Sequence, residues 1–184
     1  KANWATPHES VPTVRTEHSG VVILDAWKKG IRNVDLKVGY EGLKREAAKD
    51  LLYRTPDQRL ESSYDLWALG QIAELVGEKE DAKMYSAKAD SLFDATWPTE
   101  FMTIRDDFVK MRGNGLYQGT RWQYRWAAPH CFDKMIALVG KEKLAEQIDY
   151  FFKNDLFNQG NEPDIHTPLL YNVFGNPEGS QRLV

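Results

Sequence analysis

The chain has 184 residues, 42% of them hydrophobic and 28% charged, with a formal net charge of -3. This is ordinary composition for a globular domain with a real core. It leaves no basic surplus to neutralise nucleic-acid phosphates or to hold an anionic membrane, so no nucleic-acid partner is expected.

No membrane insertion is expected either, because the longest strongly apolar run, Val21 to Leu24, is far too short to span a bilayer. The single Cys131 excludes an internal disulfide and a cysteine-rich metal site, and its surroundings suit a buried small residue. Along the chain, Gly20 to Lys29 and roughly Val38 to Leu52 read as a helical pair, separated by Gly30 and the turn Ile31 to Asp35. Tyr64, Trp67, Ala68, Ile72 and Leu75 then recur at helical spacing, followed by Ala82, Tyr85, Ala89, Leu92 and Phe93. A third stripe, Phe132, Met135, Ile136 and Val139, leads into a fourth made by Leu144, Ile148, Phe151 and Phe152. Gly77 and Gly140 stand at the two junctions, where glycine takes the left-handed conformation of a helix C-terminus cheaply. With no run of strict alternation to argue for strands, the expected class is all-α, built from helical hairpins in a toroid or solenoid.

Two stretches break the helical pattern. Thr99 to Arg121 follows Pro98 and contains Asp106 and Asp107 and three glycines, Gly113, Gly115 and Gly119; Lys153 to Pro168 contains the segment Gly160-Asn161-Glu162-Pro163-Asp164-Ile165-His166. Loops between rigid elements are where binding and catalytic groups concentrate. The first loop runs into Tyr117-Gln118-Gly119-Thr120-Arg121-Trp122-Gln123-Tyr124-Arg125-Trp126, a density of amides, guanidiniums and aromatics that suits a hydroxyl-rich or phosphate-bearing ligand. Spacing leaves a second reading open, in which Trp122 and Trp126, at i and i+4, are the buried stripe of a helix. The second loop offers carboxylates, an amide and an imidazole for a hard cation or a glycosidic bond. Taken alone, its residues favour a capped helix start, with Asp164 as the cap and His166 exposed. Asp65, beside Trp67, reads as a hydrogen-bonded core acid, while His8, His18 and His130 lack ligand-like spacing.

Taken together, the ordered segments resemble glycoside hydrolase family 92. They are His18-Ser19-Gly20 with Asp25-Ala26 and Lys29-Gly30-Ile31; Leu60-Glu61 with Tyr64-Asp65-Leu66-Trp67; Gly119 with Trp122-Gln123-Tyr124 and Pro129-His130; and Gly160-Asn161-Glu162-Pro163 with His166, Tyr171-Asn172, Gly175, Pro177 and Gln181. The resemblance implies that residues 1–184 are one partial (α/α)6 catalytic domain of a secreted or periplasmic exo-acting α-mannosidase. Such an enzyme requires Ca2+, inverts the anomeric centre, and acts on a mannose-containing glycan. It also implies that Glu162 contacts the mannose or its calcium, with Asn161, His166, Trp122 and Arg121 on the substrate side. The aspartates that serve as base are expected beyond Val184, so the segment by itself is expected to be inactive. The sequence departs from the family pattern at Gln118, where a glutamate usually serves as general acid. That departure points to a mannose phosphodiester as substrate, with Arg121 or Arg125 receiving the phosphate. The alternative is a catalytically silent calcium-dependent glycan-binding protein.

Overall fold

The computed structural model describes residues 18–48 and 54–184, apart from the Asn114 side chain; His8 and the expected end of the second helix, 49–52, lie outside them. Helices occur throughout the described residues and strands do not, which bears out the all-α reading. The chain divides into two compact units, one made of residues up to Tyr53 with Ser62–Leu92, the other of Arg54–Glu61 with Phe93–Val184.

In the first unit, α1 spans Ser19–Lys28 and α2 spans Leu36–Ala47. The turn between them ends on Asp35, whose carboxylate accepts the Val38 N–H at 3.0 Å and so satisfies one of the orphan donors of the helix start. Helices α3 (Pro56–Val76) and α4 (Lys79–Glu100) supply the remainder of this unit through residues 62–92. Its core gathers Leu24, Tyr40, Leu43, Leu66, Leu69 and Ile72. Asp65 is buried and meets His18 Nδ1 at 2.6 Å, the core role its position suggested. At Gly77 the backbone turns left-handed (φ 91°), and the Glu78 N–H reaches back to the Ala73 carbonyl at 2.9 Å, closing the helix end. Leu75, placed in the α3 stripe by spacing, is exposed instead. The buried positions are Leu66, Ala68, Leu69, Ile72 and Ala73, because α3 is covered on more than one side.

The second unit holds the expected loops. Pro98 does not stop α4, which runs on to Glu100. Proline loses its own N–H bond and crowds the carbonyl four residues before it, so this close to the helix end only the last turn is disturbed. The N–H groups of Phe101 and Met102 then close on the Trp97 carbonyl. After 3-10 turns at Asp106–Val109 and Gly113–Gly115 come α5 (Arg121–Tyr124), α6 (Phe132–Val139), α7 (Lys141–Lys153), further 3-10 turns at Glu162–Asp164 and Thr167–Asn172, and α8 (Pro177–Leu183). The α6–α7 hairpin turns at Gly140 (φ 94°), as its sequence predicts. Phe93, Trp97, Phe101, Phe108, Trp126 and Phe151 form a fully buried aromatic core, each contributing roughly 2 kcal/mol of transfer free energy.

Candidate functional site

The site is built around α5. This helix has only four residues, too few to persist by propensity, and is held by a capping box. Thr120 Oγ1 accepts the Gln123 N–H at 3.3 Å and Gln123 Oε1 accepts the Thr120 N–H at 2.9 Å. The other end of the Gln123 amide donates to the Leu156 carbonyl at 3.1 Å, which ties α5 to the second loop. The polar character of Gln123 is therefore used in placing the two loops.

Immediately before α5, Gln118 adopts a left-handed backbone (φ 52°) with its side chain exposed. A non-glycine residue in that region costs on the order of 1 kcal/mol and persists only when its surroundings impose it. Gly119 follows, and a β-carbon there would lie 2.6 Å from the Tyr124 ring and 3.0 Å from the Asn161 amide nitrogen. The two loops thus meet at Gly119, and Asn161 and Tyr124 are both buried beneath the contact. Gly119→Ala is expected to destabilise the protein by about 1–3 kcal/mol through this overpacking. Urea denaturation read by circular dichroism measures the loss, and an unchanged midpoint would count against the packing described.

Burial pushes the Tyr124 phenol above its ordinary pKa, and the Glu61, Asp57 and Glu162 carboxylates add to the rise, while the Asn161 amide opposes it. The Tyr124 phenol is therefore neutral, with the negative charge of three carboxylates felt at it. Asp57 and Glu61 come from the start of α3, four residues apart and hence on one helical face. Glu162 is exposed at the first position of its 3-10 turn. Asp164, two residues later, is fully buried and accepts from the Asn158 N–H at 3.0 Å and the Thr167 hydroxyl at 3.3 Å; burial raises its pKa to about 7. It pins the turn that carries Asn161 and Glu162, but it does not cap a helix as its position suggested: the following 3-10 turn starts from His166 and has no side-chain cap.

The other predicted residues are placed differently. His166 is not an exposed residue: its Nε2 donates to the Trp126 carbonyl at 2.8 Å, and burial lowers its pKa, so it is a neutral ring whose Nε2 carries the proton. Trp122 is buried against Phe108, Tyr150 and Phe151, and its accessible edge lines an open groove of about 430 Å³ with Asp106, Glu146, Gln147 and Tyr150, away from Gln118 and Glu162. Trp126 is fully buried, so both tryptophans belong to the core stripe. Arg121 is only 1% exposed, with its guanidinium on Glu100 at 2.9 Å and Asp107 at 3.4 Å. Arg125 donates to the Phe101 and Met102 carbonyls and to Gln147, between the Trp97 and Trp126 rings, and burial lowers its pKa to about 10. Both guanidiniums are turned into the interior of the unit, out of reach of a phosphate arriving from solvent. Sequence reasoning missed Asp57 and Tyr124, whose spacing carries no signal of their meeting.

Among the described residues, no group of three or more His, Cys, Asp or Glu side chains is placed to hold a metal ion. Glu162 and Asn161 can offer oxygens, but calcium takes six to eight, so these residues do not by themselves complete a calcium site.

The unit is a helical scaffold carrying two polar loops that meet at Gly119. The sequence model of the glycosyl hydrolase family 92 catalytic domain matches residues 49–184. The chain belongs to that family. Among solved structures, the family 92 glycosyl hydrolase CcMan5 matches 95% of this chain at 28% sequence identity with a TM-score of 0.71. The chain spans 28% of that structure's length. No curated protein matches it.

Proposed function

We propose that the intact protein hydrolyses terminal α-linked mannose from a mannose phosphodiester, and that the segment described contributes helical hairpins to an (α/α)6 toroid. The observation carrying the substrate reading is Gln118, an exposed amide held in a left-handed turn beside the Asn161–Glu162 loop, where the family pattern has its general acid. An amide cannot supply a proton to a leaving oxygen. A sugar hydroxyl would have to depart as a strongly basic alkoxide, whereas a phosphate monoester departs as a stable anion. In this reading water forms the new bond to the anomeric carbon on the face opposite the leaving group, with inversion. The bond from that carbon to the phosphate oxygen breaks, and the water proton passes to a base outside this chain. Glu162 contacts the mannose or a calcium ion completed by ligands from elsewhere. This reading, from the family resemblance, takes the enzyme to be secreted or periplasmic.

The test compares the intact protein on an α-mannose-1-phosphodiester and on α-1,2-mannobiose. The phosphodiester is expected to react faster, with activity lost to a chelator and restored by calcium. Preference for mannobiose would sink the substrate reading, and indifference to chelation would sink the calcium.

A further inference from the structure

Both hydrogen-bonding groups of Tyr117 are held by buried side chains from different elements. Its N–H donates to Asp57 Oδ2 at 2.9 Å, and its carbonyl accepts from the Tyr124 hydroxyl. Asp57 lies in the first turn of α3 and is 1% exposed, and Tyr124 in α5 is 0% exposed. An acidic residue in a helix's first turn ordinarily serves that helix's own N–H groups. Here one carboxylate oxygen reaches a residue sixty positions away, while Oδ1 is buried with no hydrogen-bond partner. That is a costly arrangement for a helix start, and it fixes the backbone just before Gln118. On the other side, the Gly119 carbonyl accepts the Arg112 N–H at 2.8 Å, and the absence of a β-carbon lets the chain lie on the Tyr124 ring. Gln118 therefore stands between two pinned residues, with its left-handed turn imposed from outside and its side chain left exposed.

We propose that Asp57 and Tyr124 are positioning residues that set the Gln118 side chain on the leaving-group side of the bound substrate. The proposal rests on the reading of Gln118 given above. A double-mutant cycle in the intact protein tests it, with kcat and KM measured on whichever of the two substrates is cleaved faster. Tyr124→Phe, which removes only the hydroxyl, is expected to lower kcat by about tenfold with little change in KM, the loss of one buried hydrogen bond. In a Gln118→Ala background the same substitution is expected to cost less than about twofold, because the group it positions is gone. Asp57→Asn keeps an acceptor and is expected to retain activity, while Asp57→Ala behaves like Tyr124→Phe. Should Asp57→Ala fail to fold, the isosteric Tyr124→Phe arm decides alone, with melting temperatures recorded for all variants. Equal losses in both backgrounds, no loss in the native one, or a silent Gln118→Ala overturns the proposal. Preference for mannobiose would defeat the substrate reading and leave the cycle intact.

Discussion

Gln118→Glu is expected to raise kcat/KM of the intact protein on α-1,2-mannobiose by about 10²–10⁴, the range a positioned general acid supplies. The surroundings favour that role. Glu61, Asp57 and Glu162 are the carboxylates whose charge is felt at Tyr124, the residue on which Gly119 lies. Like charge in that neighbourhood raises the pKa of a carboxyl at 118, which favours the protonated form that can donate. The same charge works against a phosphodiester, whose own anion it repels, so activity on that substrate is expected to stay level or fall. Because the backbone at Gln118 is already held left-handed by its neighbours, Glu enters with no new strain. A folded variant whose mannobiose rate is unchanged would remove Gln118 from the leaving-group side.

Arg121→Leu is expected to destabilise the protein by about 3–5 kcal/mol, the cost of breaking a buried ion pair on one side. Its partners are partly hydrated, Glu100 at 31% and Asp107 at 42% exposed, which places the loss toward the low end. The guanidinium also donates to the Glu100 carbonyl, which would lose its partner. Urea denaturation by circular dichroism reads the loss directly. The contrast is with a phosphate-receiving arginine, whose removal would raise KM for a phosphodiester and leave stability alone. A normal unfolding midpoint with a raised KM would reverse the assignment of Arg121 to the core.

These outcomes separate what is legible in sequence from what is not. The hairpin turns at Gly77 and Gly140 were readable because a positive φ after an apolar stripe is a local requirement that glycine meets. The stripes themselves were readable where burial is one-sided, as on α7, where Leu144, Ile148 and Phe151 are buried; on α3, covered on more than one side, spacing misplaced Leu75. Asn161-Glu162-Pro163 and Gln118 stood out because family resemblance attaches to ordered motifs, and the family match over residues 49–184 agrees with it.

What a polar residue faces was not readable. Arg121, Arg125 and Gln123 have the chemistry of ligand-binding groups, and the fold turns all three to carbonyls, carboxylates and caps inside the unit. Conversely, Asp57 shows nothing unusual in its own neighbourhood and Tyr124 stands out only as one aromatic of a polar stretch, yet they meet at Tyr117 across sixty and seven positions. Helix formation follows from spacing along the chain, and that survives in any reading of the residues. The direction of a side chain, and the partner that satisfies it once water is excluded, follow from which distant segments are packed around it.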